Sequence, residues 1–104
     1  MPKLYFASPR DLPTSRPQPG MTERTLQGGG VVVRSIDLAP RTIVETHRHD
    51  EERVGIVIRG GLAMVIAGEQ RILSEGDTYV VPAATAHGMR VLEQPTQVVE
   101  VRKA

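Results

Sequence analysis

Short runs rich in Val and Ile, punctuated by Gly, Pro and acidic turns, predict an all-β jelly roll. Three observations carry that prediction. From Val31 onward, eight apolar runs recur about every 8–10 residues, the spacing of strands in a sandwich or barrel. No segment keeps a helical apolar period over about ten residues or more. The 104 residues make one domain. A chain of that size hides roughly two-thirds of its unfolded surface on folding, enough for stability without disulfides.

Taken in order, residues 1–30 read as an N-terminal arm. Five prolines (Pro2, Pro9, Pro13, Pro17, Pro19) exclude a long helix and leave room for short extended pieces at Tyr5–Phe6 and Glu23–Leu26. The triplet Gly28–Gly30 lacks the strand–Gly–helix context of a phosphate loop and reads as a linker. The barrel domain, 31–104, begins with "VVVRSIDL", closed by "AP". There follow "TIVET"; "VGIVIR", closed by "GG"; "LAMVIA", closed by "GE"; "RIL", closed by "SEGD"; "TYVV", closed by "PA"; "GMRVL", closed by "EQP"; and "TQVVEV". Pairing such strands in a jelly roll leaves few open edges. "VGIVIR" and "LAMVIA" are apolar on both faces and need cover on both sides. One face suits the barrel interior, and the other predicts a homodimer or a covering arm.

Composition removes several function classes. Thirteen basic residues against twelve acidic give a net charge of +1, too little to steer nucleic acid or hold an anionic membrane. One Phe, two Tyr and no Trp offer little for base stacking. No run reaches the length of a membrane span, and "MPKLYFASPRD" lacks the apolar centre of a signal peptide. The expectation is a soluble cytoplasmic protein with neither nucleic acid nor membrane as partner. The absence of cysteine excludes thiolate metal sites and cysteine nucleophiles.

Chemistry concentrates in "THRHDEERVGIVIRGG" (46–61), where His47 and His49 lie two positions apart. On a strand that spacing puts both imidazoles on one face, so they could converge on one cation or belong to a solvated loop. The third histidine, His87, ends "EGDTYVVPAATAH", a turn, a strand stopped by Pro82, and a histidine five residues on.

These two stretches resemble the first and second motifs of the cupins, and the resemblance spans roughly residues 19–101. It implies a double-stranded β-helix jelly-roll barrel, usually dimeric, with a divalent metal (Zn, Ni, Mn or Fe) inside. His47, His49 and His87 fall on ligand places, and the remaining place, usually an amide or carboxylate, falls on Arg53. Arginine is always protonated and has no lone pair to give. Three arrangements follow: a metal held by three histidines alone, a neighbouring carboxylate such as Glu51 as substitute ligand, or an anion gripped by Arg53 in place of a metal. A solvated salt bridge in "DEER" is the structural alternative. An inward Arg53 would need Glu51, Glu100 or a substrate carboxylate as partner.

Within the cupins, Pro19-Gly20, Gly55, Gly60 and His87-Gly88 are similar to the small cupins of pectin and alginate uronate catabolism. That resemblance implies an isomerase-like reaction on a small oxygenated carboxylic acid or sugar acid, with Glu100 as proton acceptor. The family's aromatic two residues after the acid is replaced by Arg102, and its amide ligand by Arg53. The alternatives are a three-histidine metal-dependent dioxygenase and a non-enzymatic barrel that binds or senses a small anion. Tyr79 either offers its hydroxyl to the ligand or packs; Met64 and Met89 line the cavity or the core; Arg90 faces solvent. Ala84 stands where glycine is frequent in the second motif, which is tolerable only at negative φ, and Arg41 takes a turn glycine's place.

Overall fold

The structure, a computed structural model, describes residues 5–104; Pro2 of the arm lies outside the described residues. A single 3-10 turn, Pro9–Asp11, precedes ten strands among the described residues. They are β1 (Thr14–Gln18), β2 (Met21–Gln27), β3 (Val31–Leu38), β4 (Ile43–His47) and β5 (Arg53–Arg59). Then come β6 (Gly61–Ile66), β7 (Glu69–Ser74), β8 (Thr78–Val81), β9 (His87–Val91) and β10 (Thr96–Lys103). A six-stranded sheet has the order β1-β2-β3-β10-β5-β8 and faces a four-stranded sheet of order β4-β9-β6-β7; every pairing is antiparallel. Each of the eight apolar runs from Val31 onward forms one strand, β3 to β10.

The arm contributes two further strands. β2 pairs with β3 over its whole length, from Met21 opposite Leu38 to Gln27 opposite Val32. Gly28–Gly30 is therefore the loop of a hairpin rather than a linker, closed by the Gly28 N–H donating to the Val31 carbonyl at 2.8 Å. Three flexible residues suffice because the strands they join are adjacent. Tyr5 and Phe6, expected to be extended, lie outside any strand and are exposed.

Alternation along each strand sends one set of side chains inward. Ile36, Leu38, Val57, Leu62, Met64, Tyr79, Val81, Val91 and Val98 form the buried core between the sheets. The chain passes from one sheet to the other at Gly60, φ +83°, between β5 and β6. A Cβ there would meet Thr96 Oγ1 at 2.3 Å and the Pro95 carbonyl oxygen at 2.6 Å, so glycine is required on both counts.

One of two glycine-like turns departs from expectation. Ala84 has φ +58° and Arg41 φ +64°, both in the left-handed region where a Cβ is unfavourable. Negative φ at Ala84 is thus corrected. The second-motif turn keeps its glycine-like conformation because tertiary hydrogen bonds hold it.

Candidate metal centre

His47 ends β4 directly opposite His87 at the start of β9, so register alone brings those two rings together. His49 lies two residues beyond β4, and strand alternation does not set its direction. The Ala84 turn does: the Ala84 N–H donates to the His49 carbonyl at 2.7 Å, and Arg48 Nη1 donates to the Ala84 carbonyl at 3.0 Å. The second-motif turn thereby clamps the first-motif loop.

The three imidazoles are oriented for a common centre. His47 Nδ1 lies 2.8 Å from the Glu45 carbonyl and His87 Nδ1 2.9 Å from the Thr85 carbonyl. A carbonyl only accepts, so each Nδ1 carries a proton, and in the neutral ring the lone pair then lies on Nε2. His47 Nε2 and His49 Nε2 are 2.9 Å apart, and the ligating atoms of all three residues fall within 4.8 Å of one another. Two nitrogens at that separation subtend about a right angle at an ion held at about 2.0–2.1 Å. The donor set fits a divalent metal: three nitrogens converge, and two are fixed from behind by the outer hydrogen bonds that imidazole ligands need. The pKa of His49 is lowered from 6.5 to about 4, by burial first, then by the positive charge of Arg53 and by His47 and His87. It is neutral near pH 7, with a lone pair to give.

Arg34 and Glu100 line the same cavity and belong to a row of polar groups across the six-stranded sheet. Tyr79 on β8 faces Gly55 on β5, Gly55 faces Glu100 on β10, and Glu100 faces Arg34 on β3. Because Gly55 has no side chain, the Tyr79 ring lies across it and its hydroxyl donates to Glu100 Oε2 at 2.5 Å. Arg34 donates to Glu100 Oε1 at 2.7 Å and to Glu23 Oε2 at 2.8 Å. Burial by itself would raise the pKa of Glu100; the Tyr79 hydrogen bond and the Arg34 and Arg53 charges outweigh it and hold the carboxyl below its usual range. Burial and then the Glu100 charge push the Tyr79 phenol upward.

Arg53 is 7 % exposed, which removes the solvated salt-bridge alternative. Its Nε and Nη2 both donate to Glu51 Oε1, at 3.2 and 2.6 Å. Nη1 lies 3.6 Å from Glu100 Oε1, near enough for charge attraction but without a hydrogen bond among the described residues. Glu51 joins this ion pair rather than the histidine cluster. Met89 lines the cavity with the three histidines, Met64 sits in the core, and Arg90 is exposed. The cavity measures about 30 Å³, room for an ion and a small group beside it.

Arg34 and Glu23 escaped the sequence reading. A signal was there: Arg34 has the same parity as Val32, Ile36 and Leu38, and an arginine on a strand's buried face must find carboxylates.

Two antiparallel sheets enclosing convergent imidazoles define a small barrel with an internal metal-type site. The chain belongs to the cupin family, whose cupin-domain model matches residues 34–102. Over 66 residues it is 32% identical to the pectin degradation protein KdgF of Dickeya dadantii, a match covering 62% of this chain and 60% of that protein. It is 28% identical over 89 residues to H2HPP isomerase of Bacillus subtilis, covering 85% of this chain but 36% of that one. The chain thus matches less than two-thirds of the length of either relative. The structure of KdgF from Halomonas sp. superposes with a TM-score of 0.87 at 22% identity, over 97% of this chain and 94% of that one, a likeness of fold.

Proposed function

We propose that this protein is a metal-dependent isomerase of the uronate-linearising type, acting in the cytoplasm on a small sugar acid or similar oxygenated carboxylic acid. The observation that carries the reading is the convergence of His47, His49 and His87 with two Nδ1 atoms tied to backbone carbonyls. These residues hold the divalent ion, which supplies polarisation of a substrate hydroxyl or carbonyl oxygen. The similarity to KdgF, named for pectin degradation, supports the substrate class.

Glu100 accepts the proton. It is ionised at neutral pH, and its depressed pKa makes it a weak base suited to a proton already acidified by polarisation. Arg53 and Tyr79 contact the acid from either side of Glu100. Once Glu100 is protonated it no longer needs the Tyr79 proton, and that hydroxyl turns to the ligand. The sugar body stays at the cavity mouth, since about 30 Å³ cannot enclose it.

The test is elemental analysis of dialysed protein beside His87→Ala, followed by the loss of double-bond absorbance from an unsaturated uronate. About one equivalent of metal per chain, lost in the variant together with turnover, is the expected result. The second reading, a three-histidine dioxygenase, is favoured by one observation: the ligating cluster among the described residues contains no carboxylate. Iron as the resident metal, with oxygen uptake on a substrate acid, would establish it in place of isomerisation. A metal-free protein that binds small acids without turning them over would leave the anion-binding barrel.

The reading includes a homodimer. Leu26, Val33, Val101, Val54 and Val80 form one outward row across five strands of the large sheet. Leu26 (40%), Val54 (43%) and Val80 (51%) remain exposed in the single chain. A second copy would cover this row.

A further inference from the structure

Arg53 stands where a protein ligand would complete the metal site, and it cannot ligate. Its guanidinium is arranged asymmetrically. The Nε/Nη2 edge is taken by Glu51, while Nη1, on the Glu100 side, is buried without a hydrogen-bond partner among the described residues. Glu100 Oε1, at 3.6 Å, attracts it without forming a hydrogen bond. An unpaired buried donor on a cation is unfavourable unless something external meets it.

The charges around the cavity point the same way. Among the more buried groups, Arg34 and Arg53 balance Glu23 and Glu100. Arg102 and Glu51, 3.8 Å apart and similarly exposed, offset each other. A divalent ion on the three neutral histidines therefore adds positive charge that none of the described residues offsets, which favours an anion beside it.

We infer that the site takes metal and a small monocarboxylate together, the carboxylate filling an open metal position with one oxygen and accepting from Arg53 Nη1 with the other. This rests on the three-histidine metal reading and adds that the ligand, not the chain, replaces the missing fourth donor. Glu51 is a positioning residue here: it holds the guanidinium by its far edge so that Nη1 stays free, and it offsets the charge that would otherwise repel the ion.

Coupling between two ligands of one site is reciprocal, so the anion must tighten the metal by the factor by which the metal tightens the anion. The experiment titrates the full chain with Zn²⁺ against a chromophoric chelator in chloride buffer, with and without acetate, and repeats this with succinate. Acetate is expected to raise Zn²⁺ affinity about tenfold, and succinate, too large for a cavity of about 30 Å³, by much less. Arg53→Gln carries an amide that can itself ligate, so it should bind Zn²⁺ independently of acetate. Arg53→Lys keeps the charge without the fork and should retain a reduced acetate effect. Acetate leaving the parent's Zn²⁺ affinity unchanged, or raising that of Arg53→Gln equally, would overturn this inference and leave the metal site standing. No Zn²⁺ binding in either buffer would overturn both. The parent titrations decide the matter even if the variants fold poorly.

Discussion

Gly55→Ala tests the site's architecture with a single methyl group. A Cβ at position 55 would lie 2.2 Å from Tyr79 Cζ, 2.4 Å from its hydroxyl oxygen and 2.6 Å from Cε2, all far inside contact distance. The ring must leave, and the hydrogen bond from Tyr79 to Glu100 leaves with it. Overpacking of a buried ring costs about 1–3 kcal/mol, and a lost hydrogen bond to a charged group about 1.5–3 kcal/mol. Against this, alanine in place of a strand glycine gains about 0.5–1 kcal/mol from chain entropy. The net expectation is a loss of about 3 kcal/mol, a large share of the roughly 5–15 kcal/mol typical of a domain. Urea denaturation followed by circular dichroism measures it, with Tyr79→Ala as the second background. There the methyl meets no ring, so Gly55→Ala should be neutral or stabilising. A Gly55→Ala protein as stable as the parent would refute the placement of Tyr79 over Gly55, because the two terms differ in sign.

Ala84→Gly should stabilise the fold by about 0.5–1 kcal/mol, since left-handed backbone strain of about 1–2 kcal/mol exceeds the added chain entropy; thermal melting reads this as a rise of a few degrees, and a fall would contradict the positive φ. His47→Ala, like His87→Ala, should lower metal affinity at least about a hundredfold by removing a ligand fixed by its carbonyl, measured by chelator competition. In metal-free protein, His49 is protonated more readily unfolded than folded. Its contribution to stability is therefore complete above pH 6.5 and is lost as pH falls toward about 4. The difference in urea midpoint between the parent and His49→Gln should change across that window, and a flat difference refutes the shift. Glu100, depressed below its usual value, contributes stability above the ordinary carboxylate range that is lost as pH falls through its folded pKa; turnover should persist to correspondingly low pH, read from the acid limb of a kcat/KM profile.

The strands from Val31 onward were legible because their determinants are local. Alternating Val and Ile, stopped by Gly, Pro and acidic turns, reports a pleated backbone wherever the chain later places it. The clustering of the histidine pair with His87 was foreshadowed by the two motifs, and the structure brings the three rings together. Strand placement in the arm was only partly visible. Polar β1 and β2 lack apolar alternation; β3 supplies the partner of β2, and β2 that of β1.

Orientation and partnership belonged to the tertiary structure. Whether Arg53 faced solvent or interior depended on Glu51, Glu100 and the start of β5, and its free Nη1 follows from how Glu51 happens to hold it. The pairing of Arg34 with Glu100 joins residues 66 apart along the chain. Ala84 adopts a glycine conformation because the His49 carbonyl and Arg48 hold it there. Backbone propensity acts over a few neighbouring residues, whereas charge pairing and packing act across register, and register exists only once both sheets have closed.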